Sequence, residues 1–328
     1  MVPIDQGIKN SVVYDRYNSI ELLRFIAATA VVFVHIPIIG IGHFGVDIFF
    51  AISGFVMLLS TENSTENFFL KRIIRVTPTY YLFTLFVFLI ALSYPSLLNN
   101  TKADFLQLLK SFFFIPFDKN GAGHYPVLFL GWTLNYEMFF YFLFAVALKF
   151  NYSYRSVLAT FLLSIVYLST QNIKELPLSA YSSNIVFEFV LGMIVYEFHV
   201  KANYKNALYM TILIVSSLFF AHDHGGRFFN FGLASALFVF SCVHFLKGKS
   251  LPNYVPLLGG YSYALYLTHP YIIQFFDKAT KWFSLGVFYQ AAALVLTLVL
   301  VNLVALCVYK FIEIPTTKFF RSRLIQAK

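Results

Sequence analysis

"SIELLRFIAATAVVFVHIPIIG", Ser19–Gly40, is apolar for most of its length. About 20 such residues suffice to cross a bilayer as a helix. Comparable runs recur along the whole chain, so the reading of this stretch decides the fold class. The 328 residues are 59% hydrophobic and 20% aromatic but only 12% charged, about half the charged share of a soluble domain. The predicted class is an all-α polytopic membrane protein. Ten spans are expected, at about 19–39, 44–60, 74–94, 127–148, 155–170, 183–200, 206–221, 228–246, 257–276 and 285–311.

Charge gives this layout an orientation. With the N-terminus in the cytoplasm, 16 Lys and Arg residues fall in inner segments, 7 in outer ones, and Arg24 lies within the first span. Basic residues accumulate on the cytoplasmic side, so both termini are expected there. The expectation is one membrane domain, 1–328, with cytoplasmic tails at about 1–18 and 312–328. An outer loop at about 95–126 is a candidate lid facing a substrate. The first nineteen residues lack the pattern of a cleavable signal peptide. The net charge of +9 reads as positive-inside charge, with no nucleic-acid partner expected. Cys242 and Cys307 lie in apolar runs without metal-ligand spacing, so no metal site is predicted.

Ionisable residues inside a span are functional candidates, because hydrocarbon penalises them. Arg24 and His35 are eleven residues apart. On an ideal helix that is a rise of about 16 Å and a return to within about 20° of the same face. Asp47, in "HFGVDIFFAISGF" (residues 43–55), can orient the His35 imidazole or simply favour a helix N-terminus. Gly45, Ser53 and Gly54 in the same segment are small enough for close helix approach. Arg72 and Arg75 share a helix face beside Lys71, and the planar arginine fork suits phosphate. Their bland reading is ordinary positive-inside charge. In "GWTLNYEMFFYF" (residues 131–142), Glu137 stands four residues after Thr133 and is either functional or paired with an arginine. Trp132 reads as an interfacial anchor and candidate substrate contact. Glu188, and His269 before Pro270, are placed in outer halves of spans. Glu313 before Pro315 reads as a structural terminus. By depth, acid/base groups gather outward and the arginines inward.

Six segments in order resemble the membrane acyltransferase-3 family of bacterial sugar and cell-wall O-acyltransferases: "LLRFIAATAVVFVH", "FGVDIFFAISGF", "FFLKRIIRVTPTYYL", "GWTLNYEMFFY", "GGYSYALYLTHP" and "YKFIEIP". The resemblance implies an inner-membrane enzyme moving an acyl group, usually acetyl, from cytoplasmic acyl-CoA to a glycan hydroxyl. It implies that His35 is the functional histidine and Arg24 the arginine that precedes it with ten residues between. It further implies that Arg72 and Arg75 contact the donor and that Glu137 is the segment's acidic residue. Thr133 stands where many relatives have Ser. The soluble C-terminal domain of some relatives is not expected. Acyl-CoA enters as donor substrate, and no permanently bound cofactor is expected. The acceptor is a glycan or lipid-linked sugar.

On this reading the catalytic candidates are His35, Asp47 and Glu137. The substrate-binding candidates are Arg24, Arg72, Arg75, Trp132 and His269. His35 serves either as general base or as a nucleophile forming an acyl-histidine. The rival class is a proton-coupled transporter, which intramembrane His, Glu and Arg also fit. Against it, the sequence shows no inverted repeat.

Overall fold

The computed structural model describes residues 4–36, 39–98, 101–119, 121, 123–221, 226–282 and 287–325. Side chains are described for all of these except 4–17, 280–282 and 287–291. The extreme ends of the expected tails, residues 99–100, 120 and 122 of the expected loop, and the start of the expected last span lie outside the described residues.

Among the described residues there are twelve α-helices. They are α1 (Ile4–Val34), α2 (Phe44–Ser60), α3 (Phe68–Ser93), α4 (Phe105–Phe112), α5 (Gly131–Phe150) and α6 (Arg155–Thr170), then α7 (Val186–Val195), α8 (Tyr204–Phe220), α9 (Leu233–Phe245), α10 (Val255–Trp282), α11 (Val287–Val308) and α12 (Ile314–Leu324). Local chemistry sets several boundaries. Asp104 caps α4 by accepting from the Gln107 N–H at 3.1 Å, and Asn203 caps α8 by accepting from Asn206 at 3.3 Å. A π-turn, Tyr309–Glu313, joins α11 to α12. It takes up Pro315, whose ring cannot sit against the carbonyl four residues back in a regular helix. Glu313 is therefore buried within a continuing helical path, where a terminus was expected.

The expectation of about ten transmembrane helices is corrected by helix length and apolar content. Among the described residues, four helical stretches are long and apolar enough to cross a membrane: Asn18–His35, Phe68–Ser93, Phe228–Phe245 and Ala292–Leu324. The apolar helices α2, α6 and α8 have only 16 or 17 residues, about 24–26 Å at 1.5 Å per residue, against about 30 Å of hydrocarbon. Helix α7 has ten residues, all buried except Ile194. Its apolar run records packing against protein, a signal that sequence hydropathy cannot separate from burial in lipid.

The chain forms two compact units. Unit 1 comprises Met1–Phe49 and Ser241–Phe319; unit 2 comprises Phe50–Phe240 and Phe320–Lys328. In unit 1, α1 packs on α10 and α10 on α11. In unit 2, α5 packs on α3 and α6, while α7 and α8 pack on α6 and on each other. Two glycines allow one close crossing in unit 2. A Cβ on Gly54 would collide with the Phe189 carbonyl, and one on Gly192 with the Ala51 carbonyl.

Candidate active site

The first cluster lies in unit 1. Helix α1 ends at Val34, and the His35 N–H bonds the Val32 carbonyl at 3.1 Å, three residues back. The ideal-helix stripe drawn from Arg24 thus stops one residue short of His35. The imidazole Nδ1 of His35 lies 2.9 Å from the Val31 carbonyl oxygen and 3.2 Å from Nε2 of His269. The rings stand edge-on with centroids 4.9 Å apart.

Carbonyl oxygens only accept, and this assigns the tautomers of the neutral pair. His269 Nδ1 lies 3.0 Å from the Leu265 carbonyl, so Nδ1 carries its proton and Nε2 is its acceptor. His35 then donates its Nδ1–H to Val31 and His269. The basic lone pair of His35 falls on Nε2. Pro270 helps build this arrangement. It has no N–H to offer the Tyr266 carbonyl four residues back, and the His269 ring is within reach of both the Leu265 and Tyr266 carbonyls. The ring is fully buried, a setting that favours its uncharged form.

Asp47 is fully buried in the first turn of α2. Its neighbour Gly45 brings that turn onto α1. A Cβ there would stand 2.6 Å from the Ala27 carbonyl oxygen and 2.8 Å from the Val31 side chain. Arg24 pairs with Glu21 at 3.0 Å along α1.

The second cluster lies in unit 2 and is charged. Arg72 Nη2 donates to the Ser60 hydroxyl at 2.5 Å. Its guanidinium stands over the rings of Phe68 at 5.5 Å and Tyr141 at 5.8 Å. Tyr141 donates its hydroxyl to Glu137 Oε1, and Ser53 donates to the same oxygen at 3.1 Å. Arg75 and Glu137 are both within electrostatic reach of Arg72. The structure thus brings Arg72, Arg75 and Glu137 together, and pairs His35 with His269. Thr133 turns back to the Leu130 carbonyl. Trp132 meets Tyr136 edge-on at 6.1 Å and lines a cavity.

Sequence reasoning missed Tyr141. Its signal was present, because it stands four residues after Glu137 on the same helix face. It also gave His269 no connection to His35, since nothing local joins residues 234 positions apart.

Comparison with known proteins covers the first five of the six segments quoted above. The family model of the acyltransferase domain, Acyl_transf_3, matches residues 17–309. The exopolysaccharide production protein ExoZ of Rhizobium meliloti (strain 1021) is 30% identical over 309 residues, covering 88% of this chain and 93% of that protein. No solved structure matches the chain.

Proposed function

From the premise that the chain belongs to the Acyl_transf_3 family of membrane acyltransferases, we propose that it transfers an acetyl group from acetyl-CoA to a hydroxyl of an envelope or secreted glycan at the bacterial inner membrane. The glycan follows from the relative named for exopolysaccharide production. The observation that carries the chemistry is the carbonyl-locked histidine pair, which leaves the His35 lone pair on Nε2.

In the proposed reaction, His35 Nε2 takes the proton of the acceptor hydroxyl as its oxygen attacks the thioester carbonyl. The new C–O bond forms, the C–S bond breaks, and the proton passes from the imidazolium to the departing CoA sulfur. The products are the acetyl ester and CoA-SH. His269 keeps the His35 ring in its tautomer and accepts from its Nδ1–H throughout, so it is a positioning residue. Arg72 and Arg75 bind donor phosphate, with the guanidinium of Arg72 held against Tyr141 and Ser60. Glu137 and Tyr141 keep the two arginines from splaying apart. Asp47, in the turn that Gly45 brings onto α1, supports the imidazole, and Arg24 contacts the donor. Trp132 meets the acceptor.

The test is transfer by the purified full chain in lipid nanodiscs, supplied with radiolabelled acetyl-CoA and an isolated exopolysaccharide. Label should move to the glycan as an ester that mild base removes, with one CoA thiol released per ester. If neither ester nor thiol forms while the protein moves a solute across vesicles, the enzyme reading fails and the transporter stands.

A further inference from the structure

Unit 2 contains two cavities that share walls, and of their lining only Trp132 has a part in the reaction above. The smaller has a volume of about 280 Å³, and the larger about 410 Å³. Pro116, Asn135 and Tyr181 line both. The smaller is walled by aromatic rings and polar edges, among them Tyr125, Trp132, Tyr136 and His124. Flat rings beside hydrogen-bonding groups suit the alternating C–H and O–H faces of a sugar ring. The larger is mainly apolar, with Phe69, Ile73, Phe114, Phe139 and Phe142 in its walls. One wall is α3, a helix long and apolar enough to cross the membrane. At its rim Phe113 and Phe142 are 72% and 52% exposed. An apolar chain can therefore enter from the lipid side.

Asn135 stands where the cavities meet. It is 3% exposed, yet its Oδ1 accepts no hydrogen bond from the described residues. A buried acceptor without a donor is unusual and costly. Three hydroxyls in the cavity walls donate elsewhere: Tyr136 to the Ala180 carbonyl at 2.7 Å, Tyr81 to that of Phe112 at 2.7 Å, and Thr77 to that of Ile73 at 2.8 Å. The junction thus has an acceptor waiting for an O–H, between a chamber that suits a sugar and one that suits a hydrocarbon chain.

We propose that these joined cavities bind the acceptor, and that the acceptor is a glycolipid. Its sugar ring lies against Trp132, a sugar hydroxyl donates to Asn135 Oδ1, and its apolar chain runs along Phe69, Ile73 and Phe142. The word "acceptor" rests on the acyltransferase reading; the binding does not.

The probe is citronellyl β-D-glucoside, a sugar on a branched ten-carbon chain, titrated into the full chain in phosphatidylcholine nanodiscs. Trp282→Phe leaves Trp132 as the sole tryptophan, so its fluorescence reports the smaller cavity. The glucoside should saturate at a concentration at least about tenfold below glucose alone or citronellol alone. Asn135→Leu should weaken the glucoside about tenfold, the scale of one lost buried hydrogen bond, with an unchanged melting temperature. Phe142→Ala, at a half-exposed position, should weaken the glucoside but leave glucose unaffected. Equal binding of citronellol with no effect of Asn135→Leu marks a lipid crevice and overturns the proposal. So does equal binding of glucose, or no saturable change at all. Turnover separates the two readings. Glucoside binding without acetyl transfer to any glycoside overturns the acyltransferase assignment alone. Transfer to a soluble glycan whose KM Asn135→Leu leaves unchanged overturns the acceptor site alone.

Discussion

The two clusters solve opposite electrostatic problems. The imidazole pair of unit 1 is built from neutral groups locked to backbone carbonyls, and His269 has no exposed surface. The arginine cluster of unit 2 keeps full charges, held by two cation–π contacts, the Ser60 hydroxyl and the field of a carboxylate. Burial favours an uncharged base, because a charged one would be desolvated at a cost. Phosphate recognition needs the reverse, a fixed charge near enough to water to meet its ligand. One chain carries both by giving each its own surroundings.

The comparison is broken most directly at His35. Replacing it with Gln should lower kcat about a thousandfold, within the range general-base catalysis contributes. The KM for acetyl-CoA should change little. Loss of donor affinity with kcat intact would reverse the roles of the two clusters. The complementary change, Arg72→Ala with Arg75→Ala, should raise the KM for acetyl-CoA about a hundredfold, taking about 1.5–3 kcal/mol for each charged hydrogen bond. The wild-type KM should also rise with salt and the variant's much less; an unchanged KM removes the phosphate role.

His269→Phe sharpens the comparison within unit 1. It should lower kcat about tenfold, the scale of one hydrogen bond, without moving either KM. His269→Gln, whose Oε1 can accept from the His35 Nδ1–H, should restore most of the rate. Equal loss in both variants would make His269 a packing residue.

The smallest effect falls outside both clusters. Lys119 is buried and donates to the Pro126 and Val127 carbonyls at 3.0 Å each. Burial lowers its pKa from 10.5 to about 8. Below pH 8 the ammonium is protonated in both folded and unfolded chains. Between about 8 and 10.5 only the unfolded chain keeps the proton, so stability rises with pH across that window. Its melting temperature relative to Lys119→Met should therefore climb between pH 8 and 10. A flat difference would mean that the lysine titrates normally.

Part of this was legible from local sequence. The acidic and basic side chains inside apolar runs stood out because few charged residues share those runs. Arg72 and Arg75 were paired by helix spacing. Glu137 was left open between a functional group and an arginine partner; the structure puts it within electrostatic reach of Arg72 and adds Tyr141. The expected span count failed at α2, α6, α7 and α8, which are too short to cross, and at α5 and α10, which are long enough but not apolar enough. Asn135 gave no sequence signal. An asparagine two residues before Glu137 is ordinary until its neighbours are shown to supply no donor.

The sequence by itself determined that this is a helical membrane protein of an acyltransferase family, and which titratable residues are candidates for its chemistry. Composition and short motifs suffice for that, because hydrocarbon selects apolar residues and leaves polar ones conspicuous. Only the tertiary structure decided how many helices are long enough to cross, that His35 faces His269, which nitrogen holds the lone pair, and where a buried amide oxygen lacks a donor. Those facts depend on hydrogen bonds and packing between residues distant in the chain, and no local pattern specifies them.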